Sequence, residues 1–139
     1  VQNIVKTILE EKKLQKTPCR IDVLEALHQA STALSEQEIK DRLHFDYDRA
    51  TLFRTLRTFL ENSLIHQVVV HKNEVKYALN QPHLQLEQQP GHAHFHCDKC
   101  DRVFCLGAVS RDLLNIPKDF QVNSFEIMFN GFCAQCRAN

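Results

Sequence analysis

Apolar residues recur at helical spacing through the first half of the chain and at strand spacing beyond it. Over residues 3–13, Ile4, Val5, Ile8 and Leu9 form one face of a short helix. Thr17-Pro18 is a start signal, because threonine caps the next amides and proline fits the first helical position. The helix it opens carries Ile21, Leu24 and Leu27 at three-residue spacing, toward a core. Ser35 and Glu38 make a capping box that satisfies two orphan amides reciprocally, opening a third helix with Ile39 and Leu43 inside. Asp48 caps a fourth helix over 49–61, whose residues Leu52, Leu56, Phe59 and Leu60 share a face.

Two β-rich stretches follow, 64–70 and 75–79, joined by the polar turn 71–74. Helices followed by a two-stranded hairpin describe a winged helix, an elaborated helix-turn-helix. The pattern breaks over 80–89, where Pro82 and four glutamines read as a hinge. Beyond it, 93–97, 102–106 and 121–132 read as strands, with a short helix over 109–115 between the last two. The expected fold class is α+β. A winged helix spans 1–81, a hinge 82–90, and a small α/β domain 91–139.

Composition narrows the picture only in part. At 139 residues the chain fits one ordinary domain or two small ones, and a small module gains from a metal staple. Seventeen basic residues balance seventeen acidic ones, so any nucleic-acid surface must be a local basic face. No apolar run approaches the roughly 20 residues of a membrane span, and no secretion signal precedes the first helix. A soluble, cytoplasmic protein is expected, with no membrane partner. Six cysteines without such a signal favour reduced thiols and metal over disulfides.

The cysteines carry the sharpest chemistry. Cys97 and Cys100 form one Cys-x-x-Cys pair, and Cys133 and Cys136 another. The two-residue spacer lets both sulfurs of a pair point inward, so two pairs can supply four thiolates to one tetrahedral zinc ion. Disulfide pairing and redox catalysis are the alternatives for such motifs. Cys19, within a helix, reads as a small buried apolar side chain.

The fourth helix carries a second candidate site. Arg49, Phe53, Arg54 and Arg57 lie opposite its apolar face. Arginines there suit phosphates and guanine edges, and an aromatic ring can touch a thymine methyl. A solvated arginine face is the bland alternative, but the helix stands second in a helix-turn-helix with a wing behind it. Lys16 and Arg20 flank the turn before the second helix and can grip the DNA backbone.

Three segments together resemble the ferric uptake regulator family of metal-dependent bacterial repressors. They are Lys16-Thr17-Pro18-Cys19-Arg20, the run Ala50-Thr51-Leu52-Phe53-Arg54-Thr55-Leu56, and the His-x-His before the first cysteine pair. The resemblance implies an N-terminal winged helix, a C-terminal dimerisation domain, and a homodimer that represses metal-uptake genes at palindromic double-stranded DNA. It adds Thr51 to the DNA-reading positions. It also implies a sensor metal, Zn2+ or Fe2+, held by ligands from both domains, beside the structural Zn2+.

The chain departs from the family pattern in several places. Phe53 stands where tyrosine is usual, and Ala33 and Ala78 stand where a histidine and an acidic or cysteine ligand are common. Cys105 replaces a common acidic ligand, while His92 and His94 match the paired histidines. Gly91, Ala93 and Phe125 occupy the positions of an additional site found in some members, so that site is not expected here.

His92, His94 and His96 alternate to one face of a strand and Cys97 to the other. His96 reads as a strand residue or a partner of a ligand. From the winged helix, His66 is the preferred remaining ligand, after the zinc-sensing branch, with His71 and His83 behind it. His28, His44 and His71 otherwise read as solvent-facing. A site of His66, His92, His94 and Cys105 suits zinc better than iron. Ala33 and Ala78 leave open a degenerate sensor, a zinc-stapled regulator indifferent to metal. An enzyme is not expected, nor any small organic substrate. A zinc hydrolase using His92, His94 and Cys105 would lack a placed general base. Peroxide sensing, a family variant, usually goes with an aspartate-rich oxygen site that the sequence lacks.

Overall fold

The computed structural model describes residues 2–70, 73–80, 91–109, 112, 114–123 and 125–138. The chain divides into two compact units, 1–79 and 80–139.

The first unit contains α1 (Gln2–Glu11), α2 (Pro18–Ala30), β1 (Leu34–Ser35), α3 (Glu36–Arg42), α4 (Arg49–Glu61), β2 (Ile65–Val69) and β3 (Val75–Leu79). Thr17 caps α2, accepting from the amide of Arg20, and Asp48 caps α4, accepting from the amide of Thr51 at 2.7 Å. The capping box at α3 is complete. The Ser35 hydroxyl accepts from the Glu38 amide at 3.1 Å, and the Glu38 carboxylate accepts from the Ser35 amide at 3.2 Å.

Ser35 also belongs to β1, a two-residue strand the hydrophobic pattern does not announce. It pairs with β3, giving an antiparallel sheet in the order β1-β3-β2. The Lys76 ammonium of β3 reaches the Glu38 carboxylate at 2.9 Å, so one carboxylate both closes the cap and ties α3 to the wing sheet. Val5, Leu9, Leu24, Leu27, Leu34, Ile39, Leu52, Leu56 and Phe59 make one continuous core. Ile4, expected on the apolar face of α1, is instead exposed, because Val5 and Leu9 already turn that helix onto α2.

The second unit contains β4 (Gly91–Cys97), β5 (Val103–Ala108), β6 (Phe125–Gly131) and α5 (Ala134–Ala138). β4 is central, antiparallel to β5 and parallel to β6. The strand expected over 121–132 starts only at Phe125. Of the helix expected over 109–115, Asp112 lies in a 3-10 turn, and residues 110, 111 and 113 lie outside the described residues. The sequence pattern gave no sign of α5, a single turn begun just after Cys133.

Candidate metal centres and nucleic-acid interface

β4 runs into the tight turn that returns as β5, and this turn is the first cysteine knuckle. The Asp101 amide donates to the Cys97 carbonyl at 2.9 Å, and the Cys97 amide to the Arg102 carbonyl at 3.0 Å. Asp101 takes a positive φ of 62°, a left-handed conformation that aspartate tolerates in turns. The parallel register sets Cys97 beside Gly131 of β6, and the chain beyond Gly131 delivers Cys133 and, on α5, Cys136.

The four sulfurs lie within 4.8 Å of one another, with Cys100 Sγ 3.9 Å from Cys133 Sγ. Zinc–sulfur bonds of about 2.3 Å give tetrahedral sulfur–sulfur edges of about 3.8 Å, so the spacing fits a zinc ion. Protein donors already face the sulfurs. The Cys133 amide donates to Cys97 Sγ at 3.4 Å, and the Arg102 guanidinium donates to Cys100 Sγ at 3.2 Å and Cys133 Sγ at 3.6 Å.

Burial alone would raise the Cys97 thiol, but the amides of Cys100, Cys133 and Lys99 outweigh it and hold it at about 6. Arg102 lowers the Cys100 thiol. Burial and the three neighbouring thiols push Cys136 up to about 12. The last thiol of the set therefore resists ionisation unless a cation joins it, which is the chemistry of a four-thiolate zinc site.

His96 lies beside this cluster and outside it. Its buried ring places Nε2 at 2.9 Å from Asp101 and Nδ1 at 3.4 Å from Asp98, both within or next to the knuckle.

Two of the expected sensor residues meet in the second unit. His94, which is buried, stands directly opposite the exposed Cys105 across β4 and β5. A β-bulge produces this pairing. His92 faces Ala108 and Ala93 faces Gly107, but His94 then faces Cys105, with Leu106 left as the extra residue. Gly107 sits at the bulge with φ 98°, which a side chain would strain. Without the bulge, Leu106 would oppose His94. A glycine interrupting a strand pattern is the signal that could have foretold it.

His66 lies in the first unit, half-buried on β2 and directly opposite Ala78 on β3. Ala33 and Ala78 are both buried methyls that offer no donor. The weaker candidates His71 and His83 lie outside the described residues.

On α4, Leu52, Leu56 and Phe59 are buried, while Arg49, Phe53, Arg54 and Arg57 are all exposed. Phe53 keeps 56% of its surface in solvent, a large apolar ring with no covering partner in its own unit. Arg57 pairs with Glu61 at 3.1 Å, and Arg54 donates to the Thr51 hydroxyl at 3.4 Å. Lys16 is paired with Glu10, and Arg20 donates to the Gln15 carbonyl at 2.9 Å. These cations therefore begin from surface contacts that are weak and readily exchanged. Cys19 is a core thiol, raised by burial, and accepts a hydrogen bond from Thr55 at 3.4 Å.

Sequence reasoning missed three groups. Arg102 neutralises the sulfur cluster from a position two residues after Cys100. Asp22 and Glu25, at 6% and 8% exposure, are buried acids on α2. His44 faces solvent as expected, its side chain 71% exposed, and what was missed is its contact with Asp22, Nδ1 to Oδ1 at 2.5 Å. Polar residues spaced three apart on an otherwise apolar helix face were the available sign.

A winged helix followed by a sheet carrying a four-thiol cluster defines a class of two-part, metal-binding transcription regulators. The model of the ferric uptake regulator family matches residues 11–125, and the chain belongs to that family, whose members are transcription regulators and not enzymes. The transcriptional regulator PerR of Clostridium acetobutylicum is 30% identical over 142 aligned positions, 97% of each chain. The ferric uptake regulator of Vibrio cholerae has the same fold, with a TM-score of 0.67 at 19% identity, covering 91% of this chain and 98% of that one. A zinc uptake regulator solved in complex with zinc and DNA matches with a TM-score of 0.65 at 23% identity, covering 99% and 93%. No helix among the described residues is long and apolar enough to cross a membrane.

Proposed function

We propose that the protein is a homodimeric, metal-responsive repressor that binds palindromic double-stranded DNA through α4, with zinc preferred over iron as effector. One observation carries the sensor: the bulge at Leu106 sets Cys105 opposite His94. His92 and His66 complete the proposed ligand set. His66 lies directly across from Ala78, the position where the resemblance implies a ligand, so a neighbouring strand supplies the missing donor. Nitrogen and sulfur donors of this kind favour zinc.

Cys97, Cys100, Cys133 and Cys136 would hold a separate structural zinc, which supplies a fixed tetrahedral junction between the β4–β5 turn and the start of α5. In the winged-helix domain, taken as 1–81, Arg49, Arg54 and Arg57 read phosphates and base edges, Thr51 contacts the backbone, and Phe53 packs on a thymine methyl. Lys16 and Arg20 hold the backbone beside them. The hinge at 82–90 joins this domain to the dimerisation domain at 91–139, and sensor ligands drawn from both make domain orientation answer to metal.

DNA affinity measured at fixed salt, with a palindromic A/T-rich duplex, tests the reading. Zinc is expected to raise affinity ~30–150-fold, a coupling of ~2–3 kcal/mol, and Cys105→Ser to abolish that gain. Metal content should fall from two ions per chain to one in the same variant. The buried methyls of Ala33 and Ala78 favour a second reading, a zinc-stapled regulator with a degenerate sensor. One zinc per chain and metal-indifferent DNA binding would establish it instead.

A further inference from the structure

A second cluster of ligating groups lies wholly within the winged helix and shares no residue with the sulfur cluster or the proposed sensor. Asp22 and Glu25 are three apart on α2 and so share a helix face. His44 lies between α3 and α4. One ligand atom from each of Asp22, Glu25 and His44 lies within 4.8 Å of the others.

The Asp22 carboxylate is held in place. Its Oδ2 accepts from the His44 amide at 3.0 Å and from the Tyr47 hydroxyl at 3.2 Å, which leaves Oδ1 facing His44 Nδ1. Such donors behind a carboxylate are what orient a metal ligand. Glu25 supplies the independent observation. It is more than nine-tenths buried, and its Oε1 is shielded from solvent with no hydrogen-bond partner. A buried carboxylate oxygen without a donor is costly, and here it stands beside a second buried carboxylate. The single imidazole can offer at most one positive charge against two negative ones. A dication removes the mismatch and gives the orphaned oxygen a partner.

We propose that Asp22, Glu25 and His44 form a cation site inside the DNA-binding unit, suited to a divalent first-row transition metal. Two oxygens and one nitrogen are too few protein donors for calcium and match a site that keeps water ligands. The His44 side chain is 71% exposed, so an ion and its waters can enter from that side. An ion there ties α2 to the connection that leads into Asp48, the cap of the reading helix. The winged helix would thus carry its own metal-dependent brace, independent of the sulfur-containing sensor.

The test is equilibrium dialysis of the full-length protein, holding its tightly bound zinc, against Co2+. Near-ultraviolet sulfur-to-cobalt absorption marks ions bound by cysteine. One equivalent of Co2+ without that absorption is expected. It should be lost in Glu25→Gln and His44→Gln and retained in His94→Ala. Equal uptake by the wild type, Glu25→Gln and His44→Gln, or uptake accompanied only by sulfur absorption, would overturn the proposal. If circular dichroism shows that Glu25→Gln does not fold, the exposed His44→Gln variant decides alone. Loss of the equivalent in His94→Ala together with its retention in His44→Gln would assign it to the sensor and also count against the brace.

Discussion

The two units hold themselves together by different means. The first unit buries a continuous set of aliphatic and aromatic side chains from four helices and the strand edge beside them. In the second, the buried apolar residues among those described are Ala93, Cys97, Val103 and Cys133, joined by the imidazoles of His94 and His96. Two of those four are members of the sulfur cluster. The apolar interior formed by the described residues of this unit is small, and a metal staple would help such a unit offset its chain entropy. The first unit is organised around an apolar core; the second is organised around a four-thiol cluster and the sheet that delivers it.

The contrast breaks most visibly at the cysteines. Cys97→Ser, or chelation strong enough to strip the cluster, should abolish folding of the second unit, because structural zinc contributes on the order of 10 kcal/mol in small domains. The first unit should keep its own cooperative transition. Two separate calorimetric transitions collapsing to one would show this, and joint unfolding of both would refute the division.

Phe59→Ala makes the reciprocal cut. Emptying that fully buried site should cost about 3–5 kcal/mol in the first unit and leave the zinc content unchanged. Gly107→Ala is subtler. Its positive φ would cost about 1–2 kcal/mol with a side chain, and relief by loss of the bulge would return Leu106 to the place opposite His94. The variant should retain its tight zinc and lose metal-responsive DNA binding; an unchanged zinc response would separate the bulge from sensing.

The smallest effect is at the α3 cap. Ser35→Ala should cost ~1 kcal/mol. Burial would raise the Glu38 carboxyl, but hydrogen bonds from Lys76 and Ser35 outweigh it and hold it below its ordinary 4.5. Its contribution is therefore complete above about pH 4.5 and is lost as pH falls through the lower folded value. Glu38→Gln should lower the stability of the first unit near neutrality, where the contribution is complete, and flatten that part of its acid-unfolding curve.

Local chemistry explains what could be read in advance. Thr17, Ser35 and Asp48 announce their helices because each cap bonds the amide three residues ahead. The two Cys-x-x-Cys pairs announce a common ion because the spacer geometry is intrinsic to the motif. Gly107 hints at a bulge, but which residues it sets opposite one another is a relation between two strands and depends on register. Asp22 and His44 are twenty-two positions apart, and only the packing of α2 against the α3–α4 connection makes them neighbours.

The parallel pairing of β4 with β6 also bears on the order of events after synthesis. Gly91 aligns with Phe125, so the central strand must wait for a partner more distant in sequence than β5. Closing that loop is unfavourable until the pairing itself forms, which makes such topologies slow to assemble. A metal ion gripped first by Cys97 and Cys100, then by Cys133 and Cys136, would draw the two strands together and act as the nucleus. A newly made chain would then meet metal twice, once as a maturation step that fixes its shape and later as a reversible signal. The first encounter would then set how many chains become competent to answer the second.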